Sequence, residues 1–408
     1  MSLVADAKAI AGAAIKAALP YENTLRAVLS LGGLKNVTAL ALGKAAAPMA
    51  SAAVDVLGGR IKKGLLITKY GHAEGFSSPN FEVIEAGHPV SDDNSERAAK
   101  AALDLCRALG KDDVLLVLLS GGGSALMEAP RVPSGVQRAI TERLLARGAD
   151  IREMNLVRRR LSRVKGGRLA AAAYPAKVIT LALSDVPGGG PEDIASGPTV
   201  PDKPDNGALD RVLNRYLFDV PQEILSLLPR EVKDLRINDG GFYIVGDMNT
   251  LVSGAENEAK RLGYTPHVVT AALSGEARDR AVEIIKETPD LPGRHAYLYA
   301  GETTVTLLGD GKGGRNQEMA LAAAIALQGK EHIAFLAVGS DGTDGPTDAA
   351  GGAVDGSTAE KMRAAGADPE KALSNNDSYA ALKASGALLV TGPTGTNVND
   401  LVIVLTEE

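Results

Sequence analysis

The segment Val114–Met127, VLLVLLSGGGSALM, constrains the fold more than any other stretch of the chain. Six Val and Leu residues run without a polar interruption into Ser120-Gly121-Gly122-Gly123-Ser124, and Ala125-Leu126-Met127 follow at once. A continuous apolar run of this kind reads as a strand buried on both faces, as in a parallel sheet. Three glycines let the backbone turn sharply and come close to a ligand. With a helix beginning near Ser124, its free N–H groups and positive dipole end point into the loop and make a place for an anion, most often phosphate. A glycine-rich turn that merely joins strand to helix is the competing reading, and the loop alone leaves the two level.

The same alternation recurs along the chain. Strands are expected at Val37–Leu42, Gly64–Tyr70, Phe81–Glu85 and Lys177–Leu183, with helices at Ala45–Leu57, Asn94–Leu109 and Pro133–Leu145 and a basic helical stretch over Ile151–Ala173. A long Pro/Gly-rich loop runs from Ser184-Asp185-Val186-Pro187-Gly188-Gly189-Gly190 to about Asn206, and loops of that length inside a domain are functional or mobile. Asp202–Asn206 and Pro229–Asp239 are linker candidates. Beyond them a second series is expected to start at Phe242–Val245, with strands at His267–Thr270, His295–Ala300, Thr303–Leu308, Ile333–Val338, Leu388–Val390 and Leu401–Leu405, and helices at Gly275–Lys286 and Asn316–Leu327. The 408 residues exceed one ordinary core. The expected fold is therefore α/β, with domains over residues 1–235 and 236–408, each a mostly parallel sheet covered by helices.

Composition narrows the function. A net charge of −6 with no basic tail excludes the usual nucleic-acid binder. The single cysteine, Cys106, leaves no internal disulfide framework and fits a reducing compartment. The N-terminal segment MSLVADAKAIAGAAIKAALP mixes charges into its apolar pattern and reads as an amphipathic helix rather than a signal peptide. No apolar run is long enough to span a bilayer. A cytoplasmic protein without membrane or nucleic-acid partners is expected, monomeric or homodimeric.

In open α/β sheets ligands bind beyond the carboxyl ends of the strands. The residues at those ends are Lys44, Lys69, His88, Ser120–Ser124 and Asp185 in the first half, and Asp247, Arg315 and Asp341 in the second. Cations neutralise transferring phosphoryl oxygens, carboxylates hold magnesium or accept a hydroxyl proton, and backbone amides cradle phosphates, so the set suits phosphoryl transfer. Lys44 and Arg315 both fall at helix starts, where a cation opposes the dipole unless an anion is near. Asp185 ends a buried strand, where turn capping is the alternative to function. No G-x-x-x-x-G-K-[ST] or G-x-S-x-G pattern occurs, and the five histidines show no metal spacing. Gly309-Asp310-Gly311-Lys312-Gly313-Gly314 fits G-x-G-x-x-G, but no acidic residue is well placed after the next strand, and the pattern is cheap in a chain with 46 glycines.

Taken together these segments resemble the MOFRL-type glycerate 2-kinase family, often labelled hydroxypyruvate reductase. The resemblance covers essentially the whole chain. It rests on Ala41-Leu42-Gly43-Lys44-Ala45, Gly87-His88-Pro89-Val90, Ser120–Leu126, Val164-Lys165-Gly166-Gly167-Arg168-Leu169-Ala170 and Leu183-Ser184-Asp185-Val186. It continues in Ala195-Ser196-Gly197-Pro198-Thr199, Gly314-Arg315-Asn316-Gln317-Glu318, Ser340–Gly345 and Thr391–Asp400. Ser91 stands where the family pattern has proline, and Arg160 where histidine is usual. The resemblance implies a Rossmann-like N-terminal domain, a MOFRL-type C-terminal domain and an active-site cleft between them. It also implies ATP and Mg²⁺ use and phosphorylation of the 2-hydroxyl of D-glycerate. Lys44 and Arg315 match positions the family is thought to use at the phosphate and substrate, and with Asp185, singled out as the carboxylate at a strand end, they are the expected catalytic residues. Ser120, Gly121, Gly122, Gly123, Ser124 and Lys165 are expected at the nucleotide phosphates, His88 and Asp341 at the substrate, and Asp193, or else Asp341, at the metal. An NAD(P)H-dependent hydroxypyruvate reductase is the alternative enzyme, and a non-catalytic sugar-acid or nucleotide sensor is a third reading.

Overall fold

A computed structural model describes residues 2–186, 189–203, 207–229 and 234–407. Pro187 and Gly188 of the long loop and parts of both linker candidates (204–206 and 230–233) lie outside the described residues. In chain order the first elements are α1 (Leu3–Ala17), α2 (Pro20–Leu31), β1 (Val37–Leu42), α3 (Ala46–Leu57), β2 (Ile61–Lys69), β3 (Phe81–Ala86), α4 (Asp93–Arg107) and β4 (Val114–Leu119). Next come α5 (Gly123–Leu126), α6 (Ser134–Ala146), α7 (Ile151–Leu161), α8 (Arg168–Ala172), β5 (Lys177–Leu183), α9 (Ala208–Tyr216), α10 (Gln222–Leu225) and β6 (Asn238–Gly246). The remainder comprises α11 (Met248–Arg261), β7 (Thr265–Leu273), α12 (Ala277–Glu287), β8 (Arg294–Gly301), α13 (Arg315–Ala326), β9 (Ile333–Gly339), β10 (Gly351–Asp355), α14 (Thr358–Ala364), α15 (Pro369–Ser374), α16 (Ser378–Ala384), β11 (Leu388–Leu389) and β12 (Asp400–Glu407).

Two compact units result, Pro20–Val245 and Met1–Leu19 with Gly246–Glu408. Neither boundary follows the expected division at residues 235 and 236. Helix α1 packs on α11, β9 and β12, so the chain starts in the unit that it also ends. Phe242–Val245, expected to open the second series, lies in β6 and extends the first sheet.

The first sheet has the order β3-β2-β1-β4-β5-β6. Its β3/β2, β2/β1, β1/β4 and β4/β5 pairs are all parallel. β1 is buried throughout and β4 and β5 nearly so, because helices cover both faces. Leu40, Leu42, Leu115, Val117 and Leu119 turn to α4 and α8. The alanine-rich α3 packs on β1, β2 and β4. Val132, Ile140, Val157 and Leu213 belong to a separate core built on α6, α7 and α9.

The second sheet, β11-β10-β9-β12-β8-β7, corrects the expectation of a mostly parallel arrangement. Among the described residues β7/β8 is its one parallel pair, while β8/β12, β12/β9, β9/β10 and β10/β11 are antiparallel. Parallel neighbours need a long crossover, and here β9 returns to β10 through a loop with no helix. Thr303–Leu308 is not a strand: Thr306 N–H goes to the Glu276 carboxylate, and Leu307 and Leu308 face solvent. Among the described residues no helix is long and apolar enough to cross a membrane.

Candidate functional site

The strand order of the first sheet reverses between β1 and β4. Such a switch point leaves a crevice at the carboxyl ends of its two strands, and Gly43-Lys44 and Ser120–Ser124 occupy it. Ser120 N–H donates to Leu42 O at 2.9 Å and Lys44 N–H to Gly121 O at 2.9 Å. Ala45 N–H donates to Ser120 Oγ at 3.1 Å. The two loops are thereby tied together by backbone. Gly43 has φ +122°, and a Cβ there would run into Ser120, so no other residue fits.

Asp185 arrives from the end of β5. A Cβ on Gly121 would run into its carboxylate, so the missing side chain lets the acid reach the loop backbone. His88 follows β3 and lies against Gly122, as does the Lys44 side chain. Burial, then the charges of Lys44 and Lys69, push the His88 imidazole down to about 4, so it is neutral near pH 7. Lys44, His88, Asp185 and Ser120–Ser124 are thus brought together within one unit, at strand ends, as the sequence predicted.

The helix expected at Ser124 is a single four-residue turn, α5, preceded by Gly122 at φ +86°. A macrodipole that short contributes little, so any anion-holding power of this loop comes from its backbone N–H groups. Ser124 Oγ lies 2.7 Å from Ser196 Oγ. Ala195 and Ser196 are left-handed at φ 50° and 61°, a backbone strain that non-glycine residues tolerate chiefly at functional sites.

Lys165 lines a cavity that also reaches Ser124 of the loop. It is buried, and its ammonium donates to Glu128 Oε2. Asp193 accepts from Gly190 N–H at 3.1 Å and lies 4.0 Å from Arg159 Nη1. Among the described residues no group of three or more His, Cys, Asp or Glu is placed to hold a metal.

In the other unit Arg315 opens α13, and the anions beside it are the protein's own. Its Nε donates to Asp400 Oδ2 at 2.5 Å and Nη2 to Asp400 Oδ1 at 3.1 Å, with Nη1 2.9 Å from Glu302 Oε1. The helix N-terminus is itself occupied by Asp344, whose carboxylate accepts from Asn316 N–H at 3.2 Å and Gln317 N–H at 2.9 Å. Burial raises Asp400 from 3.8 to about 6 even against the Arg315 pair. Asp341, at the end of β9, is half-buried and accepts from Thr343 N–H at 3.0 Å. The glycines of 309–314 serve packing: Gly309 and Gly311 lie on Asn375, Gly313 on Ser378 and Gly314 on Asp344. No strand precedes them, so the dinucleotide fingerprint lacks its structural context.

Sequence reasoning passed over Glu128, Glu302, Asp344 and Asp400 as partners. Asp400 and Asp344 fall inside the family segments quoted above, and Glu302 directly follows β8. Glu128 carries no such signal, since only the fold sets it against Lys165.

Comparison with known proteins gives the family. A domain of unknown function (DUF4147) matches residues 6–229, and the MOFRL family matches residues 295–400. A D-glycerate 2-kinase of Thermotoga maritima is 45% identical over 96% of this chain and 93% of its own. The chain belongs to the MOFRL-type glycerate 2-kinase family. A crystal structure of a glycerate kinase from Thermotoga maritima superposes with a TM-score of 0.91 at 43% identity, covering 99% of each chain. A family relative from Agrobacterium vitis, 40% identical over 89% of this chain and 97% of its own, carries a provisional hydroxypyruvate reductase name. As a member of the family, the chain is an enzyme.

Proposed function

We propose that the protein transfers the γ-phosphoryl group of ATP to the 2-hydroxyl of D-glycerate, giving 2-phospho-D-glycerate and ADP. The observation that supports this most is the convergence of Lys44, His88, Asp185 and the Ser120–Ser124 loop at the β1/β4 switch point, in a chain of this family. ATP phosphates lie over the loop's backbone N–H groups. Lys44 is the cation assigned to the γ-phosphoryl oxygens, and Arg315 enters the reading as a second cation on the family resemblance. Asp185 orients the attacking hydroxyl and takes its proton as the new O–P bond forms and the β,γ-bridging bond breaks. His88, neutral at the working pH, contacts the acceptor, and Asp341 is kept as a second substrate candidate. Loose phosphoryl transfer asks the protein mainly to position the reactants and stabilise charge, which suits this set.

Magnesium is part of the reading, and the residues present fit it. Mg²⁺ bound through substrate phosphates takes only one or two protein carboxylates, so no larger acidic cluster is needed. Asp193, half-buried with one oxygen on Gly190 N–H, is the proposed ligand, with Asp341 the second choice, and Asp185 keeps its role as the proton acceptor. When bound, the ion neutralises charge on the β- and γ-phosphates. With ATP as donor, the reading is of a cytoplasmic enzyme.

The decisive assay runs two mixtures in parallel. One contains enzyme, D-glycerate, Mg²⁺ and ATP and is followed for ADP; the other contains enzyme, hydroxypyruvate and NADH and is followed for loss of NADH. ADP formation alone is expected, with phosphorus-coupled NMR assigning the phosphate to the 2-position. NADH oxidation without ADP would replace the kinase by the reductase, and turnover in neither would leave the sensor reading.

A further inference from the structure

A cavity of about 380 Å³ opens beside the phosphate loop within the first unit, and the chemistry above does not use it. Its lining includes Ser124 at the loop, Glu128, Arg158 and Lys165, and Thr141 and Leu145 of α6. Cavities of about 300–1,000 Å³ hold drug-sized molecules, whereas a three-carbon acid would leave most of this one empty.

Charge excludes a polyphosphate here. Asp92, Asp93, Glu96 and Glu142 join Glu128 in the lining, against Arg138, Arg158 and Lys165. A surface with more carboxylates than cations repels phosphate but accepts hydrogen bonds from hydroxyl and amino groups. Glu128 is built for that. It is buried, Lys165 holds its Oε2, and its Oε1 has no hydrogen-bond partner in the protein. A buried acceptor left unpaired is costly, and a ligand donor removes the cost. Ser124 and Ala125 lie both in the lining and at the end of the phosphate loop, so one extended ligand can span the two places.

We propose that this cavity takes the nucleoside half of ATP, with Glu128 accepting hydrogen bonds from its hydroxyl or amino groups and Lys165 fixing the Glu128 carboxylate. Lys165 is then a positioning residue rather than a phosphate ligand. The inference rests on the kinase reading, since it extends the nucleotide beyond the phosphates placed there.

The test titrates ATP and inorganic tripolyphosphate into the full chain and measures KM for ATP and for D-glycerate. Glu128→Gln and Thr141→Trp should each weaken ATP by at least about tenfold in both Kd and KM. Tripolyphosphate affinity and the KM for D-glycerate should stay within about twofold of the parent. Unchanged ATP affinity in both variants, or a loss confined to D-glycerate, overturns the proposal. Should Glu128→Gln fail to fold, Thr141→Trp decides alone, because Thr141 takes no part in the buried ion pair. A parent protein that makes no ADP from D-glycerate, yet loses ATP affinity on Thr141→Trp, sinks the kinase reading and keeps the nucleoside cavity.

Discussion

Lys44 and Arg315 share a sequence context, a cation just before or at a helix start, but the structure treats them differently. Lys44 is half-buried beside His88, whose basicity is depressed first by burial and then by the charges of Lys44 and Lys69. Arg315 already holds two carboxylates. Lys44→Ala is expected to cut kcat by roughly 10³, the lower range for losing a cation at transferring phosphoryl oxygens, with circular dichroism unchanged. Arg315→Ala should lower kcat by about 10³–10⁵. Because that change also strands Asp400, Arg315→Lys is the cleaner companion: it keeps a charge and loses the fork. Near-parental kcat in Arg315→Lys would reduce Arg315 to a structural anchor. Asp400 adds a pH signature. Its folded value of about 6 exceeds the ordinary 3.8, so the folded protein binds this proton more tightly than the unfolded chain. Its contribution to stability is therefore lost as pH rises from 3.8 through about 6. Over the same window the ionised partner that orients Arg315 appears, so kcat should rise. Asp400→Asn should flatten the limb of the kcat profile near pH 6, and an unmoved limb would assign it to another group.

At the scale of elements, the Ser120–Ser124 loop works by close approach of backbone. Gly121→Ala would drive a methyl group into the Asp185 carboxylate. Overpacking of this kind costs about 1–3 kcal/mol, and displacement of Asp185 should depress kcat well beyond what the small fall in Tm explains. The long helix α13 has a different device at its start. Asp344 accepts from two backbone N–H groups there and from the Gln317 side chain at 3.0 Å. Asp344→Ala removes that cap and should cost about 0.5–2 kcal/mol in urea unfolding, with kcat falling because Arg315 is the first residue of the helix it fixes. Stability equal to the parent would mean that solvent replaces the cap.

For the whole molecule, the consequential feature is that the chain crosses from one unit to the other and back. Ile10, Ala14 and Ile15 of α1 are buried, on a helix that packs against β9 and β12 of the C-terminal unit. A chain lacking residues 2–19 should therefore lose the C-terminal unit's cooperative melt and aggregate, although the removed residues precede the other unit. A truncated protein with parental Tm would show that α11 covers that sheet face unaided.

Much of the first unit was legible from residue order alone, because parallel strands buried on both faces are spelled as largely apolar runs and the strand ends carry the chemistry. Val37–Leu42 and Val114–Leu119 could be read as strands, and Lys44, Ser120–Ser124 and Asp185 as their ends, without knowing the strand order. Residue order could not show that β12 inserts antiparallel between β8 and β9, since pairing direction depends on which distant segment arrives and not on local pattern. Nor could it assign α1 to the far unit, because an amphipathic face does not name the surface it covers. The partners of Lys165 and Arg315 were likewise hidden: Glu128 is 37 residues from one and Asp400 is 85 from the other. Periodicity records whether a side chain is buried, and only tertiary packing decides which charge it meets there.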